Sequence, residues 1–104
     1  MVKVYIASPY TIGNAAVNVK RQIDCADDLM NLGYAPYAPL LNHFQHMIHP
    51  RPDWLKFDFV WVLSCDCLLR LDGESSGADE EVELATKHGI PVFYNIDILH
   101  QHYK

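Results

Sequence analysis

"DWLKFDFVWVLSCDCLLRL", residues 53–71, is an apolar run with few polar interruptions. Residues 53–64 of it read two ways. Their β-branched and aromatic content favours a strand. Asp53 after a proline, and the length before the next break, favour a buried helix. We take 53–64 as a helix and "CLLRL", 67–71, as a strand that Asp66 leads into. That choice sets the order of elements along the whole chain.

Upstream, "VKVYIA", 2–7, reads as a buried strand, and "SPYTIG" is a loop punctuated by Pro and Gly. From about Asn14 to Leu32 the pattern is helical. Val17, Ile23, Ala26, Leu29 and Met30 recur at helical spacings, with Gly33 as the C′ residue. "YAPYAP", 34–39, is a short extended piece running into a Pro-limited loop around His43. Downstream, "GADEEVELATKH", 77–88, is a helix with Ser at its start and Gly89 at its end. "IPVFYNI", 90–96, is the last strand, and a short helical tail is expected after it.

Strand and helix thus alternate, and the strands are almost continuously apolar. That pattern marks an α/β fold with a parallel sheet covered on both faces. Ligands of such sheets bind at the carboxyl ends of the strands. The loops that meet there are Ser8–Pro9–Tyr10, the one around His43 and the one after Leu71. With 104 residues and no internal repeat or linker, one domain over 1–104 is expected.

Composition narrows the function. Half of the residues are hydrophobic and 20% are charged, so the chain is globular. A net charge of −5 gives no basic stripe for a nucleic-acid polymer. An anionic ligand would need local donors against that field. Cys25, Cys65 and Cys67 read as free thiols in a reducing compartment, Cys65 and Cys67 as buried structural ones, and no apolar stretch nears the roughly 20 residues of a membrane span. A cytoplasmic protein is expected. His43, His46 and His49 lie three apart, but no cysteine or acid sits at zinc-finger spacing, so no metal site is expected. His43 fits a cleft-lining role, and His46 and His49 fit the surface. Trp54 and Trp61 read as core. Arg51 could meet a phosphate or be solvated. Arg70 would be odd in a buried strand, so it marks a sheet edge or reaches the site.

Chemistry enters with the acids. Wound at about 100° per residue, the 77–88 helix puts Ala78, Val82 and Ala85 on the stripe that faces the sheet. Glu81 falls on the edge of that stripe. Asp79, Glu80, Glu83 and Lys87 fall towards solvent. Glu81 is therefore separated from the other acids, although an ordinary helix-border residue helped by the helix dipole would look the same. Asp58 is the acid inside "LKFDFVWVL", with Trp54, Leu55, Trp61 and Val62 three and four residues away. Two carboxylates aimed at one cleft suit chemistry at a sugar anomeric carbon, one attacking and the other managing protons and position.

These residues resemble the nucleoside 2-deoxyribosyltransferase family, including its deoxynucleoside 5′-monophosphate N-hydrolase branch. "VYIASPY" is similar to the family's first strand and loop, with Tyr5 at the active-site tyrosine. Asp58 and Asp66 match its paired aspartates. "S-x-G-x-x-x-E-x-x-x-A", Ser75 to Ala85, resembles the segment that carries the nucleophilic glutamate, which falls on Glu81. Serine at 75 matches the monophosphate branch, where the transferases often carry an acid. Asp79 stands where the family has a second glycine, and Ser8 replaces a glycine of the monophosphate branch.

The resemblance implies a three-layer, flavodoxin/Rossmann-like α/β fold with a four- to five-stranded parallel sheet. It implies that Glu81 attacks C1′ of a nucleoside or nucleoside 5′-monophosphate and expels the base, forming a glycosyl-enzyme intermediate. Water completes hydrolysis, and a second base completes transfer. Asp58 would position the sugar or assist protonation, and Tyr5 would orient Glu81. Ser8, Pro9, Tyr10, His43, Ser75, Ser76 and Gly77 would contact substrate, with the Ser75–Gly77 donors at a helix N-terminus suited to a phosphate. No cofactor is needed, and a homo-oligomer is expected. The rival readings are a non-catalytic nucleotide-binding or sensing module on the same fold, and a structural or partner-binding protein.

Overall fold

The computed structural model describes residues 1–45 and 51–104, with the side chains of 43–45 and 51–53 excepted. The elements are β1 (Lys3–Ala7), α1 (Ala15–Asn31), β2 (Ala35–Tyr37), α2 (Leu40–Gln45), α3 (Arg51–Ser64), β3 (Cys67–Arg70), α4 (Ser76–Lys87), β4 (Val92–Phe93) and α5 (Ile96–Tyr103). The strands form one four-stranded sheet in the order β2-β1-β3-β4, and every pairing is parallel. Val4 lies opposite Cys67, and Ala7 opposite Arg70.

Successive side chains of a strand point to opposite faces. Val4 and Ile6 therefore join Cys67, Leu69 and Phe93 on one face, where they pack with Cys25, Leu29 and Leu99 of α1 and α5. Tyr5, Ala7 and Leu68 occupy the other face with Val62 of α3 and Ala78 and Ala85 of α4. Arg70, two residues beyond Leu68, shares that second face.

Segment 53–64 lies within helix α3, as expected, because parallel strands β2 and β3 need a crossover between them. Among the described side chains of α3, Asp58 and Val62, one turn apart, are buried, whereas Phe57, Val60, Trp61 and Leu63 are exposed. Trp61 is not core. It is 48% exposed and stacks on Tyr37 with ring centroids 4.8 Å apart.

Other expectations shift by register. The buried stripe of α1 is Val19, Gln22, Cys25 and Leu29, while Val17 and Met30 are exposed. The chain beyond Pro39 turns into α2 instead of remaining loop. The last strand shortens to Val92–Phe93 because Asn95 caps α5, its side chain accepting from the Ile98 N–H at 2.8 Å. β3 is an interior strand, so Arg70 marks no edge. Cys67 is buried and Cys65 partly so, and burial pushes both thiols up to about 11, which suits inert thiols. Among the described residues, no helix is long and apolar enough to cross a membrane.

Candidate functional site

A cavity of about 470 Å³ opens at the carboxyl ends of β1 and β3. Its walls include Ser8 and Tyr10 from the β1–α1 loop, Trp54 and Asp58 from α3, and Ser75 to Gly77 at the start of α4, with Glu81 beyond them. The α4 helix starts here because Ser75 caps it, its Oγ accepting from the Ala78 N–H at 3.1 Å.

The phase of α4 is turned slightly from expectation. Ala78, Glu81 and Ala85 are its buried residues, and Val82 is only partly covered. Glu81 is thus directed at the sheet, at 5% exposure. Asp58 reaches the same region from α3 at 5% exposure. The Tyr5 hydroxyl, rising from the sheet between them, donates to Glu81 Oε2. Burial is the main force on the Glu81 carboxyl and pushes it up to about 8, with the Asp58 charge adding to the rise. The Tyr5 hydrogen bond and the Arg70 charge oppose that rise. Tyr5 itself is held well above its ordinary value by burial and by the two nearby carboxyls, so its proton stays on.

A second cluster shapes the β1–α1 loop. Gln22, buried in α1, donates from Nε2 to the Ile6 carbonyl at 3.1 Å and to Ser8 Oγ at 2.7 Å. Its Oε1 accepts from the Leu40 N–H at 2.9 Å. The partners fix the amide's orientation, since a backbone N–H only donates and a carbonyl only accepts. Ser8 is therefore an acceptor towards Gln22, and its own hydroxyl hydrogen is available to the cavity. Pro9 does not line the cavity. It packs under Gly73, where an added Cβ would come within 2.8 Å of Pro9 Cγ and φ is +114°. Only glycine fits that approach.

Arg70 and Asp79, both awkward in the sequence, form a pair with Nη2 and Oδ1 3.0 Å apart. Arg70 also donates to the carbonyls of Leu71 and Gly73. Asp79 is thereby held at the helix start and away from the cavity lining. The loop is tied from the other side as well, because Arg21 of α1 donates to the Asp72 carbonyl at 2.7 Å and pairs with the Asp72 carboxylate.

The structure thus brings together Ser8, Tyr10, Asp58, Ser75, Ser76, Gly77 and Glu81 around one cavity, with Tyr5 bonded to Glu81. The His43 side chain, His46, His49 and the Arg51 side chain lie outside the described residues. Sequence reasoning missed Gln22. Its signal was present, since it sits three residues from both Val19 and Cys25 on the buried stripe. Trp54, expected in the core, lines the cavity instead. Among the described residues, no group of three His, Cys, Asp or Glu could hold a metal ion.

The fold is similar to that of a 2-deoxyribosyltransferase from the psychrotolerant bacterium Bacillus psychrosaccharolyticus. The TM-score is 0.69 at 20% sequence identity, over 91% of this chain and 76% of that one. No curated protein matches the sequence. A domain family does match, from residue 2 to residue 95 of the 104. The chain belongs to that family, the domain of unknown function DUF7768.

Proposed function

We propose that the protein cleaves the N-glycosidic bond of a nucleoside or nucleoside 5′-monophosphate through a covalent glycosyl-Glu81 intermediate. One observation carries this reading: a buried carboxyl, hydrogen-bonded by Tyr5 and flanked by a second buried carboxyl, on the wall of a cavity of about 470 Å³. The volume suits a small molecule.

In this mechanism the ionised Glu81 attacks C1′. The C1′–O bond forms as the C1′–N bond breaks, and the departing base takes the electron pair and a proton. Asp58 positions the sugar or delivers that proton. Tyr5 donates to Oε2 and leaves Oε1 for the carbon. Water, or the nitrogen of a second base, then attacks C1′ and releases Glu81. Hydrolysis gives free sugar, and base exchange gives a new nucleoside. Ser8 supplies a donor through its free hydroxyl hydrogen. The Ser75–Gly77 turn suits a 5′-phosphate, and Tyr10 and Trp54 offer ring surface to the base. The His43 contact expected from the resemblance belongs to the same proposal, as does a reaction needing no cofactor in a cytoplasmic single-domain protein. The proposal includes a homo-oligomer, supported by the exposed apolar residues Phe57, Val60, Trp61 and Leu63 of α3.

A second reading has one observation in its favour. With its ionisation held near pH 8, Glu81 is largely neutral at pH 7 and could serve as a donor in a non-catalytic nucleotide-binding module. The two readings part in one experiment. The protein is incubated with ribo- and deoxynucleosides and their 5′-monophosphates, with and without a second base, and free or exchanged base is measured. Glu81→Ala serves as control. Release that disappears in Glu81→Ala supports the enzyme. Binding without release from any substrate supports the module, and release undiminished in Glu81→Ala overturns the assignment of Glu81.

A further inference from the structure

Arg70 is the buried cation among the described residues, and it shares a sheet face with the buried acids Asp58 and Glu81. A surface ion pair would explain nothing here, because such pairs are worth little. This pair is lopsided: the Arg70 side chain is 9% exposed and that of Asp79 is 73%. Three hydrogen bonds also hold the guanidinium fork. It donates to the Leu71 carbonyl, to the Gly73 carbonyl at 2.9 Å and to Asp79 Oδ1 at 3.0 Å. Two of these bonds fix the turn leaving β3, and the third fixes the first turn of α4. Glu81 follows Asp79 by two residues on that helix, so the anchor sets both the phase of Glu81 and its nearest buried positive charge. The rigid planar fork makes such an anchor possible, and a lysine could not reproduce it.

We infer that Arg70 is a positioning residue for the Glu81 carboxyl, tying the β3–α4 turn in place and supplying a buried counter-charge to Glu81, with Asp79 as its anchor. The inference rests on the reading of Glu81 as the reactive group. The charged and titratable groups that act on Glu81 are Tyr5 from β1, Asp58 from α3, Arg70 from β3 and Glu80 from α4. Arg70 is the cation among them, and it favours the carboxylate that attack on C1′ requires.

The test is a carboxyl carbon-13 titration of the glutamate-labelled full chain, which has four glutamates, with the Glu81 signal assigned by its loss in Glu81→Gln. Arg70→Gln should ionise Glu81 about one pH unit higher, the usual scale for losing a close opposite charge. Asp79→Asn removes the charge that offsets Arg70 and should ionise Glu81 lower. Arg70→Lys keeps the charge and loses the fork. It should titrate close to the parent protein while releasing base with a lower kcat and an unchanged KM. An unmoved Glu81 in both Arg70→Gln and Asp79→Asn would overturn the inference. If Arg70→Gln does not fold, an unmoved Glu81 in Asp79→Asn, whose carboxylate is exposed, overturns it alone. The titration needs no substrate, so failure of base release would sink the proposed reaction without touching this result.

Discussion

The two faces of the sheet are built from the same strands and do opposite work. The face under α1 and α5 is filled by Val4, Ile6, Leu29, Leu69, Phe93 and Leu99, apolar groups closed over one another. The face under α3 and α4 begins with Tyr5, Leu68 and Val62 and then, towards the carboxyl ends, admits Asp58, Glu81 and Arg70. Stability is concentrated on the first face. The second spends some of it to hold a carboxyl where burial opposes its charge. The same residue, Tyr5, shows how little separates the two regimes: its ring packs in the core and its hydroxyl serves Glu81.

The contrast can be broken most sharply at Glu81. Glu81→Ala should cut base release by about 10³-fold or more while the protein stays folded, because the lost group acts in the reaction and not in packing. Equal loss of activity and of the melting transition would erase the distinction between the faces. On the closed face, Leu29→Ala should destabilise by about 2–5 kcal/mol, read by urea denaturation, with ligand contacts intact. A cost below about 1 kcal/mol would show that this face is not the stabilising one.

Glu81→Gln should do the reverse and raise the melting temperature, by an amount that depends on pH. The native state keeps a proton up to about pH 8 that the unfolded chain releases above about 4.5. The stability this group contributes is therefore complete below the unfolded value and is lost as pH climbs through about 8. Glu81→Gln, neutral throughout, should gain little at pH 5 and most at pH 8, by a few degrees. A gain independent of pH would mean that Glu81 is not held neutral by burial. The smallest effect belongs to the helix cap. Ser75→Ala should cost about 1 kcal/mol by thermal melt, and more than that in affinity if the Ser75 hydroxyl also holds a phosphate.

Much of the fold was legible because strands buried on both faces leave continuous apolar runs, as in "VKVYIA" and "CLLRL". Segment 53–64 was harder, since its apolar residues surround the helix and give no phase. Phase is also where the site was partly hidden. Pattern reading places acids and amides outward, so it set Glu81 at the border of α4 and passed over Gln22, yet both face inward. Asp79 read as a misfit because its partner, Arg70, comes from another element nine residues earlier. A buried polar residue is recognisable only when its partner is known, and partners are a property of the fold.

Gln22 has a consequence for how the cavity comes into being. One amide holds the end of β1, the loop serine and the first turn of α2. Ser8 is therefore aligned only once all three segments have docked on α1. Local opening of any one of the three should therefore disturb Ser8 before the sheet unravels. Ligand binding runs through the same link in reverse. A molecule that accepts from Ser8 should slow hydrogen exchange at the Leu40 amide, a signal from a residue whose N–H faces Gln22 instead of the ligand.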